Sequence, residues 1–163
     1  MTHALASPVA EPVGISQAFP EALKGMLALE KAIAGSPLDR PTLELVKLRA
    51  SQINGCGYCV DMHSKDARAI GETEARIYLL NAWREAPHHT RRERAALALT
   101  EAITLIANGL PPEDVEREAR EVFDPQEYAA LVFAIITINA WNRLAITNHT
   151  VVGTYQAGQH ATN

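Results

Sequence analysis

The sequence has little of several features that would assign a protein to a special class. Of its 163 residues only two are cysteine, and 15 basic residues are outnumbered by 19 acidic ones. So few cysteines exclude a disulfide scaffold, and the net charge of −4 excludes the basic footprint of a nucleic-acid-binding domain. The most apolar stretch, residues 128–138, is flanked by charge and falls short of the roughly 18 residues that a membrane span needs. We therefore expect neither a nucleic-acid nor a membrane partner.

The N-terminus lacks a further feature, because it has neither the basic region nor the apolar segment of a secretory signal. We therefore expect a cytoplasmic protein, with residues 1–15 as a flexible tail. In a reducing compartment, two cysteines three positions apart indicate redox chemistry or metal binding more than a structural disulfide.

Helix is predicted throughout the chain. Valine and isoleucine are sparse outside the C-terminal third, and apolar residues recur every three or four positions. Glycine, proline and capping residues divide the pattern into about seven helices, near residues 20–34, 39–54, 56–70, 73–87, 90–109, 111–121 and 124–146. The sequence thus predicts one all-α domain, a helical bundle over residues 16–150, followed by a tail or short helix over 151–163.

The last predicted helix is apolar nearly all round between residues 129 and 140. Such a helix is buried either at the centre of a bundle or in a subunit interface. Two tryptophans are expected in the core, Trp83 and Trp141. Three polar residues of this helix are expected to line a pocket or an interface: Asn139, Asn142 and Arg143. His88 and His89 are expected in a solvent-exposed loop, and His149 and His160 lie in the tail without visible partners.

The segment with most chemical information contains Cys56, Cys59 and His63. Spacings of three and four residues place these side chains within roughly 60° on one helix face. Both cysteines lie at a predicted helix start, where unpaired N–H groups and the helix dipole stabilise a thiolate. By this argument Cys56, nearer the start, is the more acidic thiol, whereas an imidazole four residues after Cys59 favours Cys59.

Three interpretations of this segment stay open. In the redox interpretation, one thiol attacks an oxidant and the other converts the sulfenic acid into a disulfide. In the metal interpretation, both cysteines and His63 are zinc ligands, with a fourth ligand from elsewhere. In the third interpretation, the cysteines are inert.

Glu44, twelve residues before Cys56, has two interpretations as well. By spacing alone it is a surface glutamate paired with Lys47 or Arg40. If its helix packs antiparallel against the cysteine helix, which the short Asn54-Gly55 connection permits, Glu44 can reach His63 or the thiols and accept a proton.

Taken together, Glu44, the segment Cys56-Gly-Tyr-Cys59 and His63 resemble the pattern of the alkylhydroperoxidase AhpD-like proteins of the carboxymuconolactone decarboxylase superfamily. The flanking residues 44–49, 51–56 and 61–63 agree with this pattern, as do 92–101 and 138–143. The resemblance extends over residues 20–145.

The resemblance implies an all-helical fold that forms a homo-oligomer through its helices, as a dimer, trimer or hexamer. It also implies an antioxidant thiol peroxidase in which Cys59 attacks the hydroperoxide, Cys56 resolves the intermediate, and Glu44 and His63 relay the proton. No metal or cofactor is implied, and the reductant is an external dithiol, either a protein or a lipoamide-type donor. The alternatives are a decarboxylase-like enzyme without peroxidase activity and a zinc-binding or non-catalytic helical oligomer.

One position departs from the family pattern. Well-characterised relatives have histidine immediately before the second cysteine, whereas Tyr58 stands here. A neutral tyrosine, with a pKa of about 10, is no base near pH 7 but can donate a hydrogen bond. The departure predicts a slower peroxidase or a different substrate.

Overall fold

A computed structural model describes residues 13–159, and within them the chain is helical with no strand. It contains eight α-helices: α1 (Ile15–Ala18), α2 (Pro20–Ala34), α3 (Arg40–Asn54), α4 (Gly57–Ala69), α5 (Glu74–Tyr78), α6 (Arg91–Thr104), α7 (Glu113–Val122) and α8 (Pro125–Thr147). Short 3₁₀ turns follow α5 at Leu80–Ala82 and α6 at Ile106–Asn108. The all-α prediction is confirmed, and the eighth helix is the one-turn α1. Of the predicted flexible tail over residues 1–15, residues 1–12 lie outside the described part of the chain.

The predicted helix over residues 73–87 is much shorter in the structure. It ends after five residues, at Tyr78, and a 3₁₀ turn and further turns follow. The guanidinium of Arg94 donates to the carbonyls of Trp83 and Arg84 at 2.9 Å and to that of Ala86 at 3.3 Å. A side chain from α6 thus satisfies three carbonyls of a segment whose backbone is not α-helical.

The helix boundaries around the cysteines follow from local capping. Asp39 begins α3 by accepting a 2.8 Å hydrogen bond from the Thr42 amide. Gly55 ends α3 with a φ of 69°, a left-handed conformation that glycine adopts without strain. Because only Gly55 and Cys56 separate α3 from α4, the two helices turn back tightly on one another.

Helix α3 occupies the centre of the bundle, where it packs against α4, α6 and α8. The apolar side chains of α3 are almost completely buried, as for Leu45, Val46 and Leu48. They pack among equally buried side chains of the surrounding helices, such as Leu97 and Leu99 of α6 and Leu131 of α8. Trp83 belongs to this core as predicted, and its indole N–H donates to Glu101 at 2.9 Å. The central position of α3 brings its polar residues against α4 and α8.

The apolar character of α8 extends further than the sequence predicts. The helix has 23 residues, and its most apolar 18-residue window has a mean hydropathy of 1.6, so by length and composition alone it could cross a membrane. This is weak support for a span, since core helices of globular proteins pass the same test, and 39% of the window is buried inside the protein. Leu131, Ile135 and Ile138 fill the core, whereas Phe133 and Ile136 face outwards.

The chain beyond α8 forms turns and no helix as far as residue 159. Val151 and Val152 are exposed, and the backbone from residue 151 to 159 forms turns rather than the short helix that the sequence allowed. Tyr155 is nevertheless 1% exposed, which shows that these residues pack on the bundle.

Candidate active site

Both cysteines lie at the start of α4, as reduced thiols that are 1% exposed. Cys56 is the N-cap residue of α4, and its sulfur accepts a 3.4 Å hydrogen bond from the Cys59 amide. Cys59 lies in the first turn. The two sulfur atoms thus occupy the positions where the helix start favours negative charge, with Cys56 as the capping group.

The wall around the cysteines is apolar. Ala50 of α3 and Ile138 of α8 are buried with them, and Trp141, Tyr58 and Ala145 pack against this cluster. Trp141, expected in the core, therefore belongs to the surroundings of the thiols. Burial raises the pKa of the Tyr58 phenol, and the charges of Cys59 and Asp61 add to this effect. Tyr58 therefore stays protonated at neutral pH and is no base there, although its hydroxyl can donate a hydrogen bond.

The apolar wall changes the acidity of Cys59. Burial raises its pKa to about 12, the neighbouring Cys56 adds to this, and a hydrogen bond to Asn142 opposes it. This differs from the expectation of a stabilised thiolate at this residue, because the loss of water outweighs the helix dipole. At neutral pH Cys59 is a thiol, so its use as a nucleophile requires a base.

This acidity predicts an unusual pH dependence of alkylation. The rate with iodoacetamide follows the thiolate fraction, so labelling of Cys59 should rise about tenfold per pH unit from pH 8 to about pH 10, where a thiol of pKa near 8.5 has levelled off. Mass spectrometry locates the label, and circular dichroism confirms the fold at each pH. The labelling rate of the same cysteine in urea is the control. A labelling rate that stops rising below pH 9 in the native protein would contradict the prediction.

A base lies on the same face of α4. His63 is 5% exposed, and its Nδ1 lies 2.9 Å from the Glu44 carboxylate of α3, which is 8% exposed. Glu44 is therefore not a surface glutamate, and Lys47 instead pairs with Glu30. Burial favours a higher pKa for Glu44, but the hydrogen bond and charge of His63, with Lys47 and Arg40, outweigh it, and the pKa is lowered.

The ionised carboxylate determines the protonation of the histidine. Because a carboxylate only accepts, Nδ1 of His63 must carry the proton that it donates to Glu44. In neutral His63 the lone pair is then on Nε2, which is buried and has no hydrogen-bond partner among the described residues. The Glu44–His63 pair thus presents an unoccupied basic nitrogen on the helix face that carries Cys59.

Asparagines of α8 connect this site to α3. Asn142 is fully buried, donates to the Ser51 hydroxyl at 2.9 Å and accepts from Asn54 at 2.9 Å. Asn139 accepts from the same Asn54 amide and donates to Thr104. Asn142 lines the site, since it hydrogen-bonds to Cys59, whereas Asn139 supports Asn54 and Arg143 is exposed.

A further acidic residue near the pair was missed by the sequence argument. Potential ligand atoms of Glu44, His63 and Asp66 all lie within 4.8 Å of one another. Neither cysteine belongs to this group. The zinc interpretation needs Cys56, Cys59 and His63 as ligands of one ion, and among the described residues His63 is instead grouped with two carboxylates. Asp66 lies three residues after His63, a spacing that could have pointed to it.

The remaining histidines lie away from the thiols. His88 is exposed as expected, but His89 is buried, which corrects the prediction of an exposed loop residue. Burial, and then the charge of Arg76, lowers the pKa of His89. His149 is exposed beyond α8, and His160 lies outside the described residues.

A helical bundle with two buried thiols at a helix start, beside a Glu–His pair, is the arrangement of an AhpD-like protein. The chain belongs to the carboxymuconolactone decarboxylase family, whose family model matches residues 20–102. It is 44% identical over 138 residues to the uncharacterized protein YdfG of Bacillus subtilis, covering 85% of this chain and 94% of that protein.

A solved structure supports the same assignment. A protein of unknown function from Agrobacterium tumefaciens, for which a role in antioxidant defence as an AhpD has been suggested, superposes with a TM-score of 0.84 at 39% identity and covers 89% of this chain and 99% of its own. The alkyl hydroperoxide reductase AhpD of Bradyrhizobium diazoefficiens is 43% identical over 44 residues, which are 26% of this chain and 24% of that protein. The predicted AhpD-like family and fold are thus confirmed.

Proposed function

We propose that the protein is a cytoplasmic antioxidant enzyme, a dithiol peroxidase that reduces hydroperoxides with Cys59 and Cys56. The observation that carries this proposal is the buried Glu44–His63 hydrogen bond beside two reduced cysteines. The cysteine pair, the base and the apolar wall together supply a nucleophile, a proton acceptor and a resolving thiol.

In the first step, the proton of Cys59 passes through a water molecule to His63 Nε2, which makes no hydrogen bond to a described residue, and the resulting thiolate attacks one oxygen of the hydroperoxide. The O–O bond breaks, Cys59 becomes a sulfenic acid, and the alcohol leaves with the proton from His63. Glu44 stabilises the imidazolium that forms in between. Because Cys59 is a thiol at neutral pH, this relay supplies the ionisation that the helix dipole does not.

In the second step, the Cys56 sulfur attacks the sulfenic sulfur, a disulfide forms and water leaves. Cys56 caps α4 with its sulfur 3.4 Å from the Cys59 amide, so it lies one helical turn before the sulfur that it attacks. An external dithiol, a reductant protein or a lipoamide-type donor, then exchanges with the disulfide, so the two electrons of the donor reduce the pair. The scheme uses no resident metal or cofactor, and no nucleic acid or membrane takes part.

The test is a count of reactive thiols in the unfolded protein before and after a small excess of cumene hydroperoxide is added to the native protein. We expect two thiols to fall to none and to return with dithiothreitol. Two thiols that persist in the presence of peroxide would contradict the proposal and favour a decarboxylase-like enzyme of the same fold. Thiols of the native protein that react only after a chelator is added would favour the zinc-binding alternative.

We also propose that the protein forms a homo-oligomer through the outer face of α8. Spacings of four, three and four residues place four exposed apolar side chains in one stripe: Ala129, Phe133, Ile136 and Ala140. Phe133 and Ile136 are 51% and 47% exposed. This spacing is that of a coiled-coil seam, and the stripe explains why α8 is apolar on both sides.

The stripe is complementary to itself. In an antiparallel, two-fold pairing, Phe133 lies against Ile136 of the partner subunit and Ala129 against Ala140 of the partner subunit, and the same contacts repeat on the other side. The charges fit as well. Among the described residues, Arg143 bonds only to Asn139, and the pairing brings it to the partner helix's first turn, which begins at an aspartate cap.

A further inference from the structure

The residues after α8 run alongside the helix that carries the thiols. A methyl group placed on Gly57 would lie 3.2 Å from Cγ2 of Val152. This distance is tighter than nine in ten real Cβ contacts, so the absence of a side chain at Gly57 eases the approach. Gly57 lies between the two cysteines in the sequence, and Val152 therefore stands next to the Cys-x-x-Cys turn.

A set of hydrogen bonds holds the same residues to the far end of α4. The hydroxyl of the buried Tyr155 donates to the Asp66 carboxylate, at 2.8 Å from Oδ2 and 2.9 Å from Oδ1. The Gly158 amide donates to Asp66 Oδ1 at 3.0 Å, and Lys65 donates to the Tyr155 carbonyl at 3.0 Å. Residues 151–159, the C-terminal segment, are thus fastened along α4.

The fastening point is close to the proton relay. Asp66 is the third member of the group that includes Glu44 and His63. Both thiols are 1% exposed with the C-terminal segment in place, so a reagent must displace part of their surroundings to reach sulfur. Residues 151–159 form turns outside the bundle, whereas α3 and α8 are core helices, so the C-terminal residues open at lower cost than these helices.

We infer that the C-terminal segment determines which molecules reach the thiols, with Val152 as the side chain that limits their size and Tyr155 as the residue that holds the segment closed. The inference adds a specificity-determining element to the proposed peroxidase site and rests on that site being the one in use. Its test needs no peroxide, because thiol accessibility is measured directly, so failure of the peroxidase proposal leaves the test intact.

The experiment compares the alkylation rates of the cysteines in the full-length protein with two reagents, iodoacetamide and the bulkier N-(1-pyrenyl)maleimide. Tyr155→Phe keeps the buried ring but removes the hydrogen bond to a charged carboxylate. Such a bond corresponds to about a tenfold change in an opening equilibrium, and we expect both rates to rise by that factor. Val152→Ala should raise the maleimide rate severalfold and change the iodoacetamide rate less.

Two variants of similar chemistry are the controls. Val151→Ala removes the same atoms from the neighbouring residue, which is similarly exposed (67% against 56% for Val152), so the two variants differ in the approach of Val152 to Gly57. Tyr78→Phe removes the same hydroxyl from a residue that is 72% exposed. Neither should change the rates. If Tyr155→Phe and Val152→Ala both label within twofold of these controls, the inference is wrong. Should Tyr155→Phe fail to fold, as seen by circular dichroism, the ratio of the two reagents in Val152→Ala decides alone.

Discussion

Replacing Cys59 with serine is expected to abolish hydroperoxide-dependent oxidation of a dithiol, lowering the rate by at least ~10³-fold to that of the uncatalysed reaction. A serine hydroxyl has no accessible anion in this apolar wall and cannot form a sulfenic acid. The measurement is peroxide consumption with dithiothreitol as donor. Since Cys59 is buried and touches the core cluster, the melting temperature of the variant must be measured beside its activity.

The matched variant Cys56→Ser separates the two thiols. It should still reduce one equivalent of peroxide and stop with a sulfenic acid on Cys59, which dimedone traps for mass spectrometry. Turnover retained in Cys59→Ser would refute the assignment. A trapped sulfenic acid on Cys56 in that variant would show that the capping sulfur attacks first, as its position at the helix start suggests.

Introducing charge into the α8 stripe by Ile136→Asp is expected to convert the oligomer into a monomer. The substitution places two carboxylates against apolar partners in each two-fold pair, and losing one central apolar contact typically costs ~2 kcal/mol or more. The dissociation constant should therefore rise at least about a hundredfold. Sedimentation equilibrium measures it directly, and circular dichroism should show an unchanged helix content because Ile136 is half exposed.

Tyr78→Asp is the control, since it adds the same charge to an exposed apolar residue of α5, outside the stripe. It should leave the mass in solution unchanged. A wild-type protein that stays monomeric at high concentration would overturn the association proposal. Binding of that monomer to lipid vesicles would instead indicate that a membrane covers the outer face of α8, the helix with the apolar length for it.

Much of the fold was predictable because its signals are local. The capping box that begins α6 at Thr90 and Glu93 is present, as is the glycine that ends α3. Local signals failed at residues 79–87, where the predicted helix gives way to turns and Arg94 of α6 binds the carbonyls of Trp83, Arg84 and Ala86. They failed in the same way for His89, whose burial depends on how its loop packs rather than on its own neighbours in sequence.

The candidate site divides along the same line. The order of Cys56, Cys59 and His63 on one face follows from helical spacing alone, and so does the family resemblance that points to a peroxidase. Contacts between distant parts of the chain need the packing of α3 against α4 and of the C-terminal segment against α4. The Glu44–His63 hydrogen bond spans 19 residues and the Tyr155–Asp66 bond 89 residues, so neither has a local signal.

The sequence by itself determined that this is an all-α protein of the carboxymuconolactone decarboxylase family with two cysteines and a histidine on one helix face. Only the tertiary structure decided that Glu44 is buried on His63, that Cys59 holds its proton, and that Val152 stands beside the thiol turn. The physical reason is that acidity and access depend on burial. Burial is a property of how helices pack together, and spacing along one helix does not determine it.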